Sequence, residues 1–182
     1  MCGLDSRIER VSKQNTKWYD IDFPDVIKER SKYYAETDTY YMLAMDMRTD
    51  EWKKHIDANQ DAIIVFEGVS MYFAPQELDT LLSNLPQHFN SIKLLMDCYT
   101  ESSAKMSKYK NPINDVGVTT VYGYDNPEEL AKKSELVFVK EYDMTPQKYI
   151  DKLQGMEKTI FKKLFAGKIA KSMYHMYEFK NV

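Results

Sequence analysis

The sequence predicts an α/β fold in a single domain. Short segments rich in aliphatic, aromatic and β-branched residues alternate with stretches of helical spacing, a pattern typical of βα units. The length of 182 residues fits one domain with a substantial core. No fixed-period repeat and no low-complexity linker divides the chain. We therefore expect residues 1–182 to form one domain.

Six strands are predicted, and one of them is expected at the centre of the sheet. Ala62–Phe66 is apolar throughout, as expected of a central parallel strand that is covered on both faces. The C-terminal strand is expected to return along the sheet after the last helix. The predicted strands are Lys17–Phe23, Tyr41–Met45, Ala62–Glu67, Ser91–Tyr99, Leu136–Tyr142 and Met173–Phe179.

Prolines mark the starts of the helices between these strands, because proline is well tolerated in the first helical turn. The last helical stretch is basic and amphipathic, so it either docks a partner or, as we favour, packs its apolar stripe on the sheet. The loop over Lys110–Asp125 is expected to form an ordered wall of the site. The predicted helices are Pro24–Tyr34, Pro75–Leu85, one that opens at Asn126, and one from Thr145 that either runs on or breaks near Gly155 before it continues over Met156–Phe165.

Composition and charge exclude several classes of protein. Lys+Arg 25 against Asp+Glu 28 gives a net charge of −3, which favours neither nucleic acid nor an anionic membrane as a partner. The longest apolar run is far shorter than the roughly 18 residues that cross a bilayer. Cys2 and Cys98 are too few for a disulfide framework and show no metal-ligand spacing. We expect a cytoplasmic protein with reduced thiols and no metal.

A glycine turn near the N-terminus and an acid at the end of the following strand point to a nucleoside ligand. Gly3 permits close approach of the backbone, and Asp5 or Ser6 is placed to cap the helix that ends near Val11. Asp22 follows on the order of 20 residues after this turn, the arrangement in which an acid bonds ribose hydroxyls. The GxGxxG fingerprint is absent, so a ligand without a pyrophosphate fits better.

Four motifs resemble a known family. They are Cys2–Arg7, Trp18–Val26, Asp46–Arg48 followed by Trp52, and Phe66–Phe73. In this order they resemble the leucine carboxyl methyltransferase family, and within it the bacterial O-methyltransferases of polyketide-type pathways. The resemblance implies an S-adenosylmethionine-dependent enzyme with a Rossmann-like class I sheet, mostly parallel, with an antiparallel C-terminal strand.

The resemblance also implies which residues form the site. In the family pattern the glycine turn lies against the methionine end of the cofactor, one acid holds the ribose, a pair of residues faces adenine, and a further acid lies near the methionine portion. Tyr72 matches an aromatic residue beside the transfer site, and we take it as the catalytic candidate. The implied cofactor contacts are Cys2, Gly3 and Asp5 in the turn, Asp22 at the ribose, Asp46 and Met47 at adenine, and Glu67 at the methionine portion.

Each of these residues also has a structural interpretation. Asp22 is alternatively a helix-capping or surface acid before Pro24, and Glu67 is alternatively a strand-end acid that neighbouring amides satisfy. Asp46 is alternatively the cap of a polar turn. Asp5 is equally a helix cap, and Tyr72 is alternatively a core aromatic, as are the loop residues Tyr122 and Tyr124.

The family pattern contains a first strand and N-terminal helices that this sequence lacks, so we expect a sheet without its leading strand. The expected acceptor is a carboxyl or hydroxyl of a small molecule. A carboxylate needs no general base, whereas a phenol with a pKa near 10 does. No residue stands out as that base, since His55, His88 and His175 are isolated. The alternative is an inactive remnant that forms a homodimer or binds a partner.

Overall fold

The computed structural model describes residues 2–11, 15–107, 120–167 and 172–181. Helices and strands alternate along these residues, as the sequence predicts. Two short 3-10 helices, Asp50–Lys54 and Ser70–Tyr72, add to them. The strands are β1 (Trp18–Asp22), β2 (Tyr40–Ala44), β3 (Asp61–Phe66), β4 (Ser91–Tyr99), β5 (Leu136–Tyr142) and β6 (Tyr174–Asn181). The helices are α1 (Arg7–Arg10), α2 (Pro24–Arg30), α3 (Pro75–His88), α4 (Glu101–Ser107), α5 (Pro127–Lys133), α6 (Gln147–Ile150) and α7 (Gly155–Phe165).

The strands form two sheets. β1 and β2 pair in parallel, and the second sheet has the order β3-β4-β6-β5. β3 and β4 are parallel. β6 lies between β4 and β5 and runs antiparallel to both. This confirms the predicted α/β fold, with a mostly parallel arrangement and an antiparallel C-terminal strand.

β1 and β3 belong to different sheets and do not pair with one another, but two ion pairs join residues that flank them. Near their amino ends, Lys17 Nζ lies 2.6 Å from Asp57 Oδ2. Near their carboxyl ends, Arg7 in α1 forms an ion pair with Glu67, which directly follows β3. No strand lies between β1 and β3 in the part of the chain that the structure describes, and this is where the sequence predicts the leading strand to be lacking.

The prediction that Ala62–Phe66 is covered on both faces is wrong. β3 lies at an edge of its sheet, and Ile63 is 77% exposed. β3 pairs with a strand on one side only, so its apolar side chains lack the packing that neighbours on both sides of a central strand would supply.

The main core lies on the larger sheet. All four leucines of α3 are at most 3% exposed and pack with Leu94 and Phe179 of the sheet. Trp52 reaches this core from the 3-10 helix after β2, and its ring lies 6.0 Å from Phe89 in a stacked arrangement. α3 begins at Pro75, as predicted, and its start is stabilised because Glu77 Oε2 accepts the Ala74 N–H at 2.8 Å.

The helix over Met156–Phe165 differs from its prediction in packing. The break at Gly155 is confirmed, since Gly155 has φ +56° and α7 starts there. Ile160 is nevertheless 50% exposed, so the expectation that the apolar stripe packs on the sheet is wrong for this residue, and Met156 beside the break is 78% exposed. Most of the predicted loop wall, residues 108–119, lies outside the described residues. Within the described ranges, no helix has the length and apolar character to cross a membrane.

Candidate functional site

The glycine turn and the strand-end acid meet at the carboxyl end of β1. Asp22 Oδ2 accepts the Gly3 N–H at 2.9 Å, and its Oδ1 accepts the Phe23 N–H at 2.8 Å. Asp22 is 4% exposed. Gly3 adopts φ +52°, a conformation that favours glycine, and open space surrounds the position of a Cβ. The two residues that the sequence pairs for a nucleoside are thus in direct contact.

A buried arginine that no sequence pattern indicated supports this turn. Arg30 is 1% exposed and lies 2.5 Å from the carboxylate of Asp20. Its Nη1 donates to the Gly3 carbonyl at 3.0 Å, and its Nε donates to the Tyr40 hydroxyl at 2.9 Å. Tyr40 in turn donates to Asp20 Oδ2 at 2.9 Å. The network fixes the turn against β1 and β2.

Cys2 lies over the same network. Burial is the main reason that the pKa of its thiol rises to about 12, and the charge of Asp20 adds to the rise. The thiol therefore stays protonated at neutral pH, where it is a poor nucleophile. The Cys2 carbonyl accepts the Asp5 N–H at 3.1 Å and so closes the glycine turn.

Asp5 and Glu67 are brought together by one arginine. Asp5 Oδ1 accepts the Arg7 N–H at 2.8 Å, so Asp5 satisfies an amide at the start of α1. The Arg7 guanidinium lies 2.5 Å from the same carboxylate and also pairs with Glu67. The Glu67 side chain is 52% exposed, which leaves its carboxylate accessible to a ligand.

Asp46 and Met47 follow β2 and have different environments. Asp46 accepts the Arg48 N–H at 3.0 Å and holds the Arg48 guanidinium at 2.5 Å, and these contacts lower the pKa of its carboxyl. Met47 is 9% exposed and belongs to the main core. Asp46 thus organises a polar turn, as the structural interpretation predicts, while the Met47 side chain packs inward.

Tyr72 lies beyond the carboxyl end of β3 in a cluster of tyrosines. It is partly buried, and burial raises the pKa of its phenol, with smaller contributions from Tyr99 and Asp97. Tyr124, by contrast, is a core residue, since it is 8% exposed and its hydroxyl donates to the Phe73 carbonyl at 2.8 Å. Tyr122 also packs against the main core.

Asp97 on β4 is a second buried acid that the sequence did not indicate. It is fully buried, its Oδ2 accepts the Gly68 N–H at 2.7 Å, and the Tyr174 hydroxyl donates to the same oxygen. The neighbouring residue Cys98 is 0% exposed, and burial raises the pKa of its thiol to about 12, so it packs as a small apolar side chain.

The site therefore combines a glycine turn with acids at one edge. Asp22 ends β1, Glu67 directly follows β3, and Asp97 lies two residues before the end of β4. The carboxyl ends of parallel strands are where α/β folds bind ligands. Carboxylates accept hydrogen bonds from ribose hydroxyls and attract an ammonium or sulfonium group. These hydrogen-bond acceptors thus fit a cationic nucleoside such as S-adenosylmethionine.

Comparison with known proteins agrees with this arrangement. The leucine carboxyl methyltransferase family matches residues 1–86, which confirms the resemblance seen in the motifs. The chain is 29% identical over 161 residues to the tetracenomycin polyketide synthesis O-methyltransferase TcmP of Streptomyces glaucescens, covering 87% of this chain and 60% of that protein. It is 25% identical to the S-adenosyl-L-methionine-dependent methyltransferase dpfgK of Gibberella zeae, covering 71% of this chain and 48% of that protein. The chain spans about half to three fifths of the length of these relatives.

The fold is similar to that of solved methyltransferases. An S-adenosylmethionine-dependent methyltransferase from Mesorhizobium loti superimposes with a TM-score of 0.62 at 8% identity, covering 99% of this chain and 88% of that chain. At such low identity the likeness supports the fold, which is the class I methyltransferase arrangement that the sequence predicts.

Proposed function

We propose, from the leucine carboxyl methyltransferase match over residues 1–86, that this protein is an S-adenosylmethionine-dependent O-methyltransferase acting on a small molecule. The observation that carries the proposal is the direct hydrogen bond from the Gly3 N–H to the buried Asp22 carboxylate, at 2.9 Å. It joins the two elements that the nucleoside pattern requires. The names of the two relatives, both methyltransferases, support the same reaction class.

The residues of the edge have distinct roles in holding the cofactor. Asp22 accepts from the ribose hydroxyls, and the glycine turn lets the backbone approach the methionine end. The half-exposed carboxylate of Glu67 attracts the ammonium group of that end. Asp46 and Met47 border adenine, while Cys2 and Asp5 keep the turn in place. When bound, S-adenosylmethionine supplies a methyl group on a positively charged sulfur.

Methyl transfer to oxygen depends mainly on alignment, so the chain needs a rigid cradle that excludes water. Arg30 provides rigidity, because it ties the Gly3 carbonyl to the buried acid Asp20. Tyr72 provides an aromatic wall beyond β3, beside the transferred group. The acceptor is a carboxyl or hydroxyl of a small molecule, and the polyketide role in the name of TcmP supports that class.

Calorimetric titration of S-adenosylhomocysteine into the chain tests this proposal. We expect binding heat from the native chain and at least a tenfold loss of affinity in Asp22→Ala, since a charge-assisted hydrogen bond is lost. Asp25→Ala is the matched control, because Asp25 is an exposed acid three residues further along. Heat that is absent from the native chain, or equal in both variants, contradicts the proposal.

The setting proposed for this activity is cytoplasmic and independent of nucleic acid and membranes. The net charge of −3 supports the absence of such anionic partners. Cys2 and Cys98 are both free, as is common in a reducing compartment. We also propose that residues 1–182 act as a single domain.

A second function is favoured by the open edge of β3. An inactive remnant would bury this edge, with its 77% exposed Ile63, in a homodimer. Sedimentation velocity distinguishes the two functions together with calorimetry. A stable dimer that binds no S-adenosylhomocysteine would favour the inactive remnant. A monomer that binds S-adenosylhomocysteine would exclude the remnant, because the fold would then be stable without a dimer.

A further inference from the structure

Asp97 is a buried acid without a compensating positive charge. Its residue is 0% exposed, and no lysine, arginine or histidine of the described ranges forms an ion pair with it. Oδ2 accepts from the Gly68 N–H and from the Tyr174 hydroxyl, while Oδ1 is buried and has no hydrogen-bond partner. Burying a carboxylate without a cation and with one oxygen unbonded costs free energy, which indicates a functional role for Asp97.

The same sheet contains a matched pair that is compensated. Tyr142 donates to Glu178 Oε2 at 2.5 Å, and Glu178 is 6% exposed. Lys93 and Lys140 approach that carboxylate at 3.7 Å and 3.9 Å. The two tyrosine–carboxylate pairs therefore have the same hydrogen bond, and they differ in whether cations neutralise the acid.

The uncompensated pair lies at the edge that carries the proposed site. Tyr174 is partly exposed, and its ring meets that of Tyr99 edge to face with centroids 5.3 Å apart. The charge of Asp97 contributes to the raised pKa of Tyr72 in the 3-10 helix after β3, and the charge of Glu67, directly after β3, contributes to the raised pKa of Asp97. Burial raises the pKa of the Asp97 carboxyl, which strengthens it as a proton acceptor, although its hydrogen bonds partly oppose the rise.

We propose that Tyr174 and Asp97 accept the proton of a hydroxyl-bearing methyl acceptor. This inference rests on the proposed function and narrows its acceptor from a carboxyl or hydroxyl to a phenol-like hydroxyl. Tyr174 contacts the acceptor and is the catalytic residue. Asp97 acts through Tyr174 as a positioning residue and receives the proton. The pair supplies the base that no sequence motif indicates.

The proposed step is balanced in atoms and charge. A carbon–oxygen bond forms at the acceptor while the carbon–sulfur bond breaks and leaves its electron pair on sulfur. The acceptor's hydroxyl proton passes to the Tyr174 oxygen as the Tyr174 proton passes to Asp97 Oδ2. A carboxylate acceptor has no proton to give at neutral pH and does not use the pair.

Binding of two matched probes tests the inference without turnover. The probes are 4-nitrophenol and 4-nitrobenzoate, which share a ring and differ in the hydroxyl or carboxylate. We expect Asp97→Asn and Tyr174→Phe each to weaken 4-nitrophenol binding by about tenfold. Tyr174→Phe removes the hydroxyl that accepts the hydrogen bond of the probe, and Asp97→Asn removes the charge that makes this hydroxyl a strong acceptor. Binding of 4-nitrobenzoate is expected to stay unchanged or to tighten in Asp97→Asn, where a like charge has been removed.

The pH profile and a control variant separate this role from a structural one. The absorbance of bound 4-nitrophenol reports its ionisation, and we expect its apparent pKa to be raised in the native chain because a negative acceptor favours the neutral phenol. Both variants should abolish that shift. Tyr142→Phe removes the corresponding hydroxyl from the compensated Glu178 pair and should preserve the shift and both affinities.

The outcomes distinguish this inference from the proposed function. Equal 4-nitrophenol binding in the native chain and both variants overturns the inference, as does a native chain that does not bind 4-nitrophenol. If Asp97→Asn does not fold, Tyr174→Phe decides alone, because it retains the acid. Titration of S-adenosylhomocysteine reports on the proposed function separately, since Asp97 and Tyr174 are not needed for its ribose contact.

Discussion

The two sheets of this protein are stabilised in different ways. The small β1–β2 sheet rests on a buried polar network in which Arg30 joins Asp20, Tyr40 and the Gly3 carbonyl. The larger sheet rests on an apolar core that includes Leu94 and Phe179, both 0% exposed. Apolar burial is non-directional, whereas hydrogen bonds fix geometry. The polar half therefore positions the turn of the site, and the apolar half supplies most of the stability.

The strongest way to break the apolar half is to empty its centre. Phe179→Ala removes a ring that packs edge to face against Phe138 at 5.9 Å. We expect the free energy of unfolding in urea to fall by about 3–5 kcal/mol, from lost burial and the cavity left behind. Val139→Ala, at a site 41% exposed in the same sheet, is the control and should change it little. Equal effects of the two would show that the larger sheet does not carry the stability.

Breaking the polar half should cost less and act differently. Arg30→Met leaves the Asp20 carboxylate buried without its cation, and we expect a loss of about 3 kcal/mol of unfolding free energy. Adding Asp20→Leu should restore part of that loss, because the unpaired charge is then gone. Denaturation of the single and double variants measures this coupling. A double variant less stable than the sum of the single effects would contradict the polar account.

A pH series sharpens the comparison within the larger sheet, where Asp97 is a polar exception. Its folded-state pKa is raised above the unfolded value by burial, so the folded state favours the protonated acid. The stability that this preference contributes is present at low pH and is lost as pH rises through the folded pKa. The side-chain amide of the Asp97→Asn variant cannot ionise. The unfolding free energy of the variant should therefore increase relative to that of the native chain as pH rises through this range. A difference that is constant with pH would refute this.

The smallest effect is expected where the two sheets meet at their amino ends. Lys17 and Asp57 are exposed and lie 2.6 Å apart, and exposed pairs contribute little to stability. Lys17→Ala should leave the denaturation midpoint unchanged within error. A clear loss would mean that this contact, rather than the carboxyl-end ion pair of Arg7 with Glu67, holds the sheets together.

The regular elements were predictable because their signals are local. Ser91–Tyr99 and Leu136–Tyr142 were predicted with the observed bounds, and the helix from Pro75 began at its proline. α4 at Glu101–Ser107 was missed, because its short polar sequence has no apolar period. The exposure of Ile63 was missed because composition reports what a strand can bury and not what lies beside it.

The site was predictable only where residues are close in sequence to a motif. Gly3, Asp22 and Glu67 were predicted in this way, and the structure places Gly3 in contact with Asp22. Arg30 was not, because a basic residue in the last turn of a helix normally reads as a solvated one. Asp97 was not, because it lies in a strand whose pattern is otherwise apolar, and its partner Tyr174 is 77 residues away.

The position of β6 also determines when this protein can finish folding. β6 lies between β4 and β5, and Asn181 within it accepts the Ile92 N–H at 2.9 Å. During synthesis β5 therefore has no place in the sheet until residue 181 has left the ribosome. Until then the nascent chain exposes the edge of β4 to chaperones, and late pairing over such a sequence distance is slow.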